Sequence, residues 1–140
     1  MARADFYLID KPRFRENPLL LVCELAKLAY AQQIPTLIHA RSQEQAEALD
    51  ELLWEFDPDG FIGHQIAGDE EDDVTPVLIV PPEFDCPLRT LVINLRDSTV
   101  PGMPDSVKEV VPADPAERDG SRIRWTEYKS RGFELRKFDM

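Results

Sequence analysis

The sequence of 140 residues has no apolar run long enough to cross a lipid bilayer, which takes about 20 residues. Its longest apolar runs, at residues 19–23 and 77–82, are far shorter, and the amino terminus carries charges where a signal peptide is apolar. The two cysteines, Cys23 and Cys86, are too few for a disulfide framework. We therefore expect a cytoplasmic protein with reduced thiols and no membrane association.

Glycine is also scarce, with six residues, and it is absent where a nucleotide-binding α/β protein needs it. The connection after the first predicted strand, residues 10–18, has no glycine and contains Pro12 and Pro18, which lack the N–H groups that would bind a phosphate. No P-loop lysine motif occurs in the sequence. The sequence therefore predicts no binding of NAD, ATP or GTP and no resident cofactor.

Groups suited to catalysis or metal binding are isolated from one another in the sequence. His39 and His64 have no partner at a spacing suited to a metal, and Cys86 has no neighbouring base that would activate it as a nucleophile. The acidic run at residues 69–73 lacks the glycine and alternating ligands of a calcium loop, so we expect a solvated, mobile loop. We predict no catalytic and no metal-binding residues. An α/β enzyme with an unrecognised small-molecule site is the alternative.

Short apolar segments alternate with helical patterns along the chain. Segments of strand composition occupy residues 5–9, 36–40, 77–80, 91–95 and 107–111, with a further extended segment at 133–138. Helical patterns occupy residues 18–33, the stretch after Ser42, and residues 115–131. This alternation predicts a three-layer α/β sandwich with a mainly parallel sheet, Rossmann-like but without the glycine-rich phosphate loop. We find no internal repeat and expect one domain over residues 1–140.

Capping residues mark where two of the helices begin and end. Ser42 opens a capping-box pattern, and Asp114 is a favoured cap for the last helix. Gly132 is a favoured stop for that helix. Gly120 would cost it about 1 kcal/mol relative to alanine, so a later start at Ser121 is an alternative.

Charge is distributed unevenly along the chain. The formal net charge is −11, yet residues 118–137 hold seven bases against three acids, while residues 50–73 hold ten acids and no Lys or Arg. A chain this negative is poorly suited to broad electrostatic binding of nucleic acid or anionic membranes. A nucleic-acid role would therefore act through a protein partner or through the basic carboxy-terminal helix.

The basic helix carries cations on both sides of an aromatic ring. At about 100° per residue, Arg118, Arg122, Trp125 and Lys129 fall within about 60° of arc. Such a stripe is either a solvated face or a small site for an anion beside an apolar group, such as a peptide carboxy-terminus. Arginine suits a carboxylate because its planar guanidinium can donate two hydrogen bonds to it.

A second cluster of aromatic residues begins at Trp54. Phe56, Phe61 and Ile62 follow it in a stretch that also contains proline and glycine, so we predict a surface loop. Large apolar side chains in such a loop either fold into the core or form a docking patch. The pattern alone leaves both interpretations open.

Four segments together resemble one protein family. They are DFYLID at residues 5–10, LLLVCELAKLAYAQQIPTLIHA at residues 19–40, QAEALDELLWEFDPDGFIGHQIAGD at residues 45–69 and RIRWTEYKSRGFELRKF at residues 122–138. Their order and spacing resemble the chi subunits of the bacterial DNA polymerase III clamp-loader complex. The resemblance covers most of the chain.

This resemblance implies a non-catalytic adaptor in DNA replication. Chi subunits are similar to nucleotide-binding α/β domains without the phosphate loop. They bind the psi subunit of the clamp loader, and they bind the acidic carboxy-terminal tail of single-stranded-DNA-binding protein, which ends in proline and phenylalanine. Members of the family also associate with a helicase-like repair protein through the psi-binding surface.

The family's binding residues carry over onto particular positions of this sequence. The tail-binding arginine falls on Arg122, the basic residue at the helix start on Arg118, and the aromatic wall of the pocket on Trp125. A further family lysine is replaced here by Thr126, for which Lys129 or Lys137 could compensate.

For psi, the resemblance implies Trp54 and Phe61 as interface residues. The resemblance thus favours an adaptor that joins the clamp loader to protein-coated single strands. The rival interpretations are the α/β enzyme above and a protein that binds single-stranded nucleic acid directly through its basic helix.

Overall fold

The computed structural model describes residues 2–56 and 62–140 of the chain. The helices are Pro12–Glu16 (α1), Leu19–Ala31 (α2), Gln43–Phe56 (α3) and Pro115–Ser130 (α4). The strands are Arg3–Leu8 (β1), Thr36–His39 (β2), His64–Ile66 (β3), Val77–Val80 (β4), Leu91–Asn94 (β5), Ser106–Val111 (β6) and Glu134–Asp139 (β7).

The strands form one sheet in the order β3-β4-β2-β5-β6-β1-β7, and every neighbouring pair is parallel. The central strands β2, β4 and β5 are buried along their whole length. Burial on both faces explains why adjacent residues in these strands are apolar, as in Leu37 and Ile38, instead of alternating with polar residues. The predicted parallel sheet is confirmed.

Two apolar clusters cover the two faces of the sheet. Leu21 and Leu49, from α2 and α3, pack with Ile38 on one face. Tyr128 of α4 packs with Phe6 and its neighbours on the other face. Helices on both faces of a parallel sheet make the three-layer α/β sandwich that the sequence predicted, and the open, Rossmann-like character of the sheet is confirmed.

The chain is more helical than we expected after the first strand and around Trp54. The connection after β1 contains the short helix α1, which Pro12 opens and whose Phe14 side chain is buried. Trp54 and Phe56, which we expected in a surface loop, belong instead to α3, which ends at Phe56. Leu53 is buried and anchors this last turn of α3 against the core, which favours helix over loop there. Phe61 lies outside the described residues.

Helix α4 begins at Pro115, as its cap predicts, and not at the alternative start after Gly120. The Asp114 carboxylate accepts a hydrogen bond from the Ala116 N–H at 2.8 Å, and Gly132, at φ +87°, follows the end of the helix. A Cβ atom at Gly120 would lie 3.3 Å from the Arg124 Nη1 atom. Glycine is therefore accommodated inside the helix because the Arg124 side chain passes close over it.

The acidic run at residues 69–73 is largely exposed to solvent, as expected, and it leads through a turn into a short 3-10 helix at Asp72–Val74. The Asp72 carboxylate accepts hydrogen bonds from the Gln65 side chain at 2.6 Å and from the Gly68 N–H at 2.8 Å. Burial alone would raise the pKa of Asp72, but these hydrogen bonds outweigh it and hold the pKa below its usual value. The carbonyl group of Asp72 accepts from the Arg89 guanidinium at 2.6 Å, which ties the turn to the segment before β5.

Candidate functional site

A groove of about 550 Å³ lies between α4 and the strand pair β1 and β7. Eight residues line it: Phe6, Leu8, Arg118, Ser121, Arg122, Trp125, Thr126 and Lys137. The apolar side chains form its floor and one wall, and the cations lie around them. The groove therefore offers an apolar slot next to positive charge.

The two-residue period of strands β1 and β7 and the helical period of α4 bring these side chains together. Phe6 and Leu8 are two positions apart on β1, so both face α4. Lys137 is paired in register with Phe6, which places it beside Phe6 on the same face of the sheet. Arg122 and Trp125 follow one side of α4 at helical spacing, and they meet the strand residues across the groove.

The Trp125 ring forms the wall of the groove. Its centroid lies 5.1 Å from that of Phe6, with an interplanar angle of 61°, which is the favoured edge-to-face arrangement. Trp125 is half-buried, so part of the ring faces the groove. A second aromatic ring could pack in the same slot against Trp125 and the side chains of the floor.

Arg122 is a highly accessible cation of the groove. Its side chain is 80% exposed, and Nη1 lies 3.1 Å from a carboxylate oxygen of Asp119, which is 74% exposed. An exposed ion pair of this kind contributes about 0–1 kcal/mol. The guanidinium can therefore exchange Asp119 for a better-placed carboxylate at little cost.

Arg118 lines the groove, but its guanidinium is already bonded to the backbone. Nη2 donates to the Ile9 carbonyl at 2.6 Å, and Nε donates to the Pro112 carbonyl at 3.3 Å. These bonds tie the start of α4 to the residues that follow β1 and β6. Arg118 therefore positions the helix and adds positive potential, and it is less able than Arg122 to grip a ligand.

The structure places the two candidate lysines, Lys129 and Lys137, differently with respect to the groove. Lys137, on β7, lines the groove, whereas Lys129 does not. Thr126 also lines the groove, and its hydroxyl donates to the Arg122 carbonyl at 3.1 Å. Of the two lysines, Lys137 is thus the one that the geometry favours as the second cation of the site.

A buried polar network holds the sheet-facing side of α4 against β6, and the sequence did not predict it. Glu109 of β6, fully buried, accepts from Arg124 Nε at 2.8 Å, from the Tyr128 hydroxyl at 2.7 Å and from Asn94 Nδ2 at 2.6 Å. The Tyr128 oxygen in turn accepts from the Val100 N–H at 2.9 Å. Burial raises the pKa of Glu109, and the nearby Arg124 opposes this shift.

A second surface surrounds Trp54, near the amino end of β3. The Trp54 side chain is 58% exposed, and its ring lies 4.8 Å from that of His64, centroid to centroid. The His64 Nε2 atom is 3.3 Å from an Asp50 carboxylate oxygen. The structure therefore favours the docking-patch interpretation of Trp54 over the core interpretation, whereas Ile62, which is buried, belongs to the core.

The carboxyl edge of the sheet is where open α/β proteins usually bind small molecules. A pocket of about 220 Å³ lies there, and His39, Cys86 and Arg96 are among the residues that line it. Burial, assisted by the Arg96 charge, lowers the pKa of His39 to about 4. Burial raises the pKa of the Cys86 thiol. Neither group is thus tuned for catalysis near neutral pH.

Within residues 2–56 and 62–140, no three or more His, Cys, Asp or Glu side chains are grouped so as to hold a metal ion. In the same part of the chain, no helix has the length and apolar character needed to cross a membrane. Cys23 is buried and Cys86 half-buried, and both are free thiols.

An α/β sandwich that presents a cationic groove and an exposed tryptophan has the features of a protein-binding module. The family model described as DNA polymerase III chi subunit, HolC, matches residues 1–136. The chain is 34% identical to a DNA polymerase III subunit chi from Pseudomonas aeruginosa, over 96% of this chain and 94% of that protein. It is 30% identical to the subunits chi from Haemophilus influenzae and Escherichia coli, over 93–96% of each chain.

The chain therefore belongs to the DNA polymerase III chi subunit family, which confirms the resemblance found in the sequence. Its role is in DNA replication, as an accessory, non-catalytic subunit of the polymerase holoenzyme. Its partners accordingly include other proteins of that complex.

Proposed function

We propose that this chi subunit is a cytoplasmic adaptor with two protein-binding surfaces. The groove between α4 and β7 binds the acidic carboxy-terminal tail of single-stranded-DNA-binding protein, and the surface around Trp54 binds the psi subunit. The observation that carries the first half is the convergence of Arg122 and Trp125 of α4 and Lys137 of β7 on one groove, beside the apolar side chains of β1.

The chemistry of the tail matches the groove group by group. The terminal carboxylate would take the place of Asp119 on the exposed Arg122 guanidinium, and two charge-assisted hydrogen bonds would hold it. The terminal phenylalanine ring would lie against Trp125, over the apolar floor of Phe6 and Leu8. The acidic residues upstream would face Lys137. The net charge of −11 makes a bare nucleic acid a poorer ligand than a short acidic peptide held at one cationic groove.

The second half of the proposal rests on the exposure of Trp54. Tryptophan is favoured as a central anchor of protein interfaces because it buries a large area at a small cost in side-chain entropy. Trp54 is on α3, which lies on the opposite face of the sheet from α4. A helicase-like repair protein, if it uses this surface, would compete with psi and not with the tail.

The tail site is tested by fluorescence anisotropy with a labelled peptide of the tail sequence. Arg122→Ala should weaken binding about tenfold to a hundredfold, since each charge-assisted hydrogen bond contributes about 1.5–3 kcal/mol and 1.4 kcal/mol is a factor of ten. Arg15→Ala is the matched control, because Arg15 is also an exposed arginine on a helix but lies on α1, away from the groove. Equal affinity of wild type and Arg122→Ala would remove the groove from the proposal.

Two further variants separate the lysines in the same assay. Lys137→Ala should weaken tail binding more than Lys129→Ala, because only Lys137 lines the groove. An unlabelled single-stranded oligonucleotide serves as competitor, and it should displace the peptide poorly at physiological salt. Efficient displacement by the oligonucleotide would favour the direct nucleic-acid binder instead.

A further inference from the structure

A second pocket, of about 640 Å³, opens at the amino ends of β2 and β4. Its apolar wall is formed by Tyr30, Ile34, Pro35, Val74 and Pro76. Val74 is 77% exposed, although valine is a residue that proteins usually bury. The pocket is thus an accessible apolar recess, larger than the groove beside α4.

This pocket is continuous with the surface around Trp54. A Cβ atom added at Gly63 would lie 3.3 Å from a Pro76 ring carbon and 3.4 Å from a Tyr30 ring carbon, so the backbone of Gly63 lies against the pocket wall. The next residue, His64, places its ring 4.8 Å from the Trp54 ring. Gly63 and His64 thus link the pocket wall directly to the ring that contacts Trp54.

The surroundings of the pocket are negatively charged. Asp73 lines the pocket, and Glu51 and Glu55 are exposed on α3 on either side of Trp54 in the sequence. Arg89 is the one base among the lining residues, all of which are described. Its guanidinium donates to the carbonyl groups of Thr75, at 2.6 Å, and of Asp72 and Pro76. This cation is therefore directed at the protein's own backbone.

We propose that the pocket formed by Tyr30, Val74 and Pro76 receives an apolar side chain of the psi segment that covers Trp54, and that Lys or Arg residues flank this side chain in psi. The inference rests on the proposed docking of psi at Trp54. Charge complementarity decides the occupant, because an acidic peptide or a nucleic acid in the pocket would face Asp73, and Glu51 and Glu55 add negative charge to the helix that carries Trp54. The acidic stretch that had no role in the sequence analysis thus selects the partner.

Calorimetric titration of the intact chain with purified psi subunit, at low and at physiological salt, tests the inference. Asp73→Lys and Glu55→Lys should each weaken psi binding about tenfold at low salt and less at physiological salt, because salt screens charge pairs at an interface rim. Val74→Ser should weaken binding severalfold at both salt concentrations, since it removes apolar area from the pocket. The matched control is Glu83→Lys, which makes the same charge change at an exposed residue beyond the carboxyl end of β4.

Trp54→Ala, titrated in parallel, separates this inference from the function on which it rests. If Trp54→Ala weakens psi binding at least thirtyfold while the Asp73, Val74 and Glu55 variants bind like wild type, psi docks at Trp54 and the inference is overturned. If Trp54→Ala itself binds psi like wild type, the docking surface is wrong and the inference fails with it. Thermal melting of each variant shows that the fold is retained, and Asp73, Glu55 and Val74 are all exposed.

Discussion

Arg122 and Arg124, two positions apart on α4, should respond to substitution in opposite ways. The Arg122 side chain is 80% exposed, whereas that of Arg124 is 4% exposed and its Nε donates to buried Glu109 at 2.8 Å. Arg124→Ala should therefore destabilise the fold. Arg122→Ala should leave stability nearly unchanged and should weaken tail binding.

The size of the effect at Arg124 follows from what the substitution leaves behind. Without Arg124, the Glu109 carboxylate keeps its hydrogen bonds to Tyr128 and Asn94 but loses its counter-charge inside the protein. Removing one partner of a buried ion pair costs about 3–5 kcal/mol. In a chain of this length we expect the melting temperature to fall by about 10–20 °C. The exposed pair of Arg122 with Asp119 contributes at most about 1 kcal/mol.

Urea unfolding and thermal melting, followed by circular dichroism, measure both variants. Glu109→Gln in the Arg124→Ala background is the informative control, because it removes the uncompensated charge and should recover part of the lost stability. An Arg124→Ala variant that melts with wild type would refute the reasoning, since it would mean that Glu109 needs no counter-charge. Tail binding should then be compared at a temperature at which both variants are folded.

Two other predictions concern stability. Burial and the Arg96 charge lower the pKa of His39 to about 4 in the folded state. Neutral His39 therefore contributes fully to the free energy of unfolding above the unfolded pKa of about 6.5, and this contribution is lost as the pH falls toward 4. Wild type should thus lose about 2 kcal/mol between about pH 7.5 and about pH 5 from this residue, and urea unfolding of His39→Gln should show a shallower loss. Asp114→Ala should lower the unfolding free energy by about 1 kcal/mol because it removes the hydrogen bond to the Ala116 N–H, and Asp114→Asn should retain most of it. A melt of Asp114→Ala that matches wild type would contradict the cap.

The central sheet and the ends of α4 were predictable from local sequence. Strands buried on both faces are rich in apolar residues. Val77–Val80 is apolar throughout, and Thr36–His39 is apolar at its centre. Asp114 and Gly132 act through local hydrogen bonds and backbone conformation, so their roles do not depend on distant residues. Helical spacing also placed Arg122 and Trp125 on one side of α4 before the groove was known.

The different roles of the arginines on α4 could not be predicted from the helix alone. All three arginines add equally to a basic stretch of sequence, but their partners differ. Arg118 donates to backbone carbonyl groups, Arg122 pairs with exposed Asp119, and Arg124 pairs with buried Glu109. The sequence of β6 did contain a signal for the role of Arg124. In β6, Glu109 lies between Val107 and Val111 at the two-residue period of one buried face, and a carboxylate in such a row needs a cationic partner.

The order of the strands bears on how an adaptor could hold two partners at once. Trp54 lies against His64 of β3, at one edge of the sheet, and Lys137 lies on β7, at the other edge. Six inter-strand spacings of about 4.8 Å separate these edges, which gives about 29 Å. That distance exceeds the Debye length of about 8 Å at physiological salt, so charge on one partner hardly affects the other. The two surfaces also differ in sign, since Arg122 and Lys137 suit an acidic tail and Asp73 suits a cationic segment. The two proposed sites are therefore far enough apart for each partner to bind without contacting the other site.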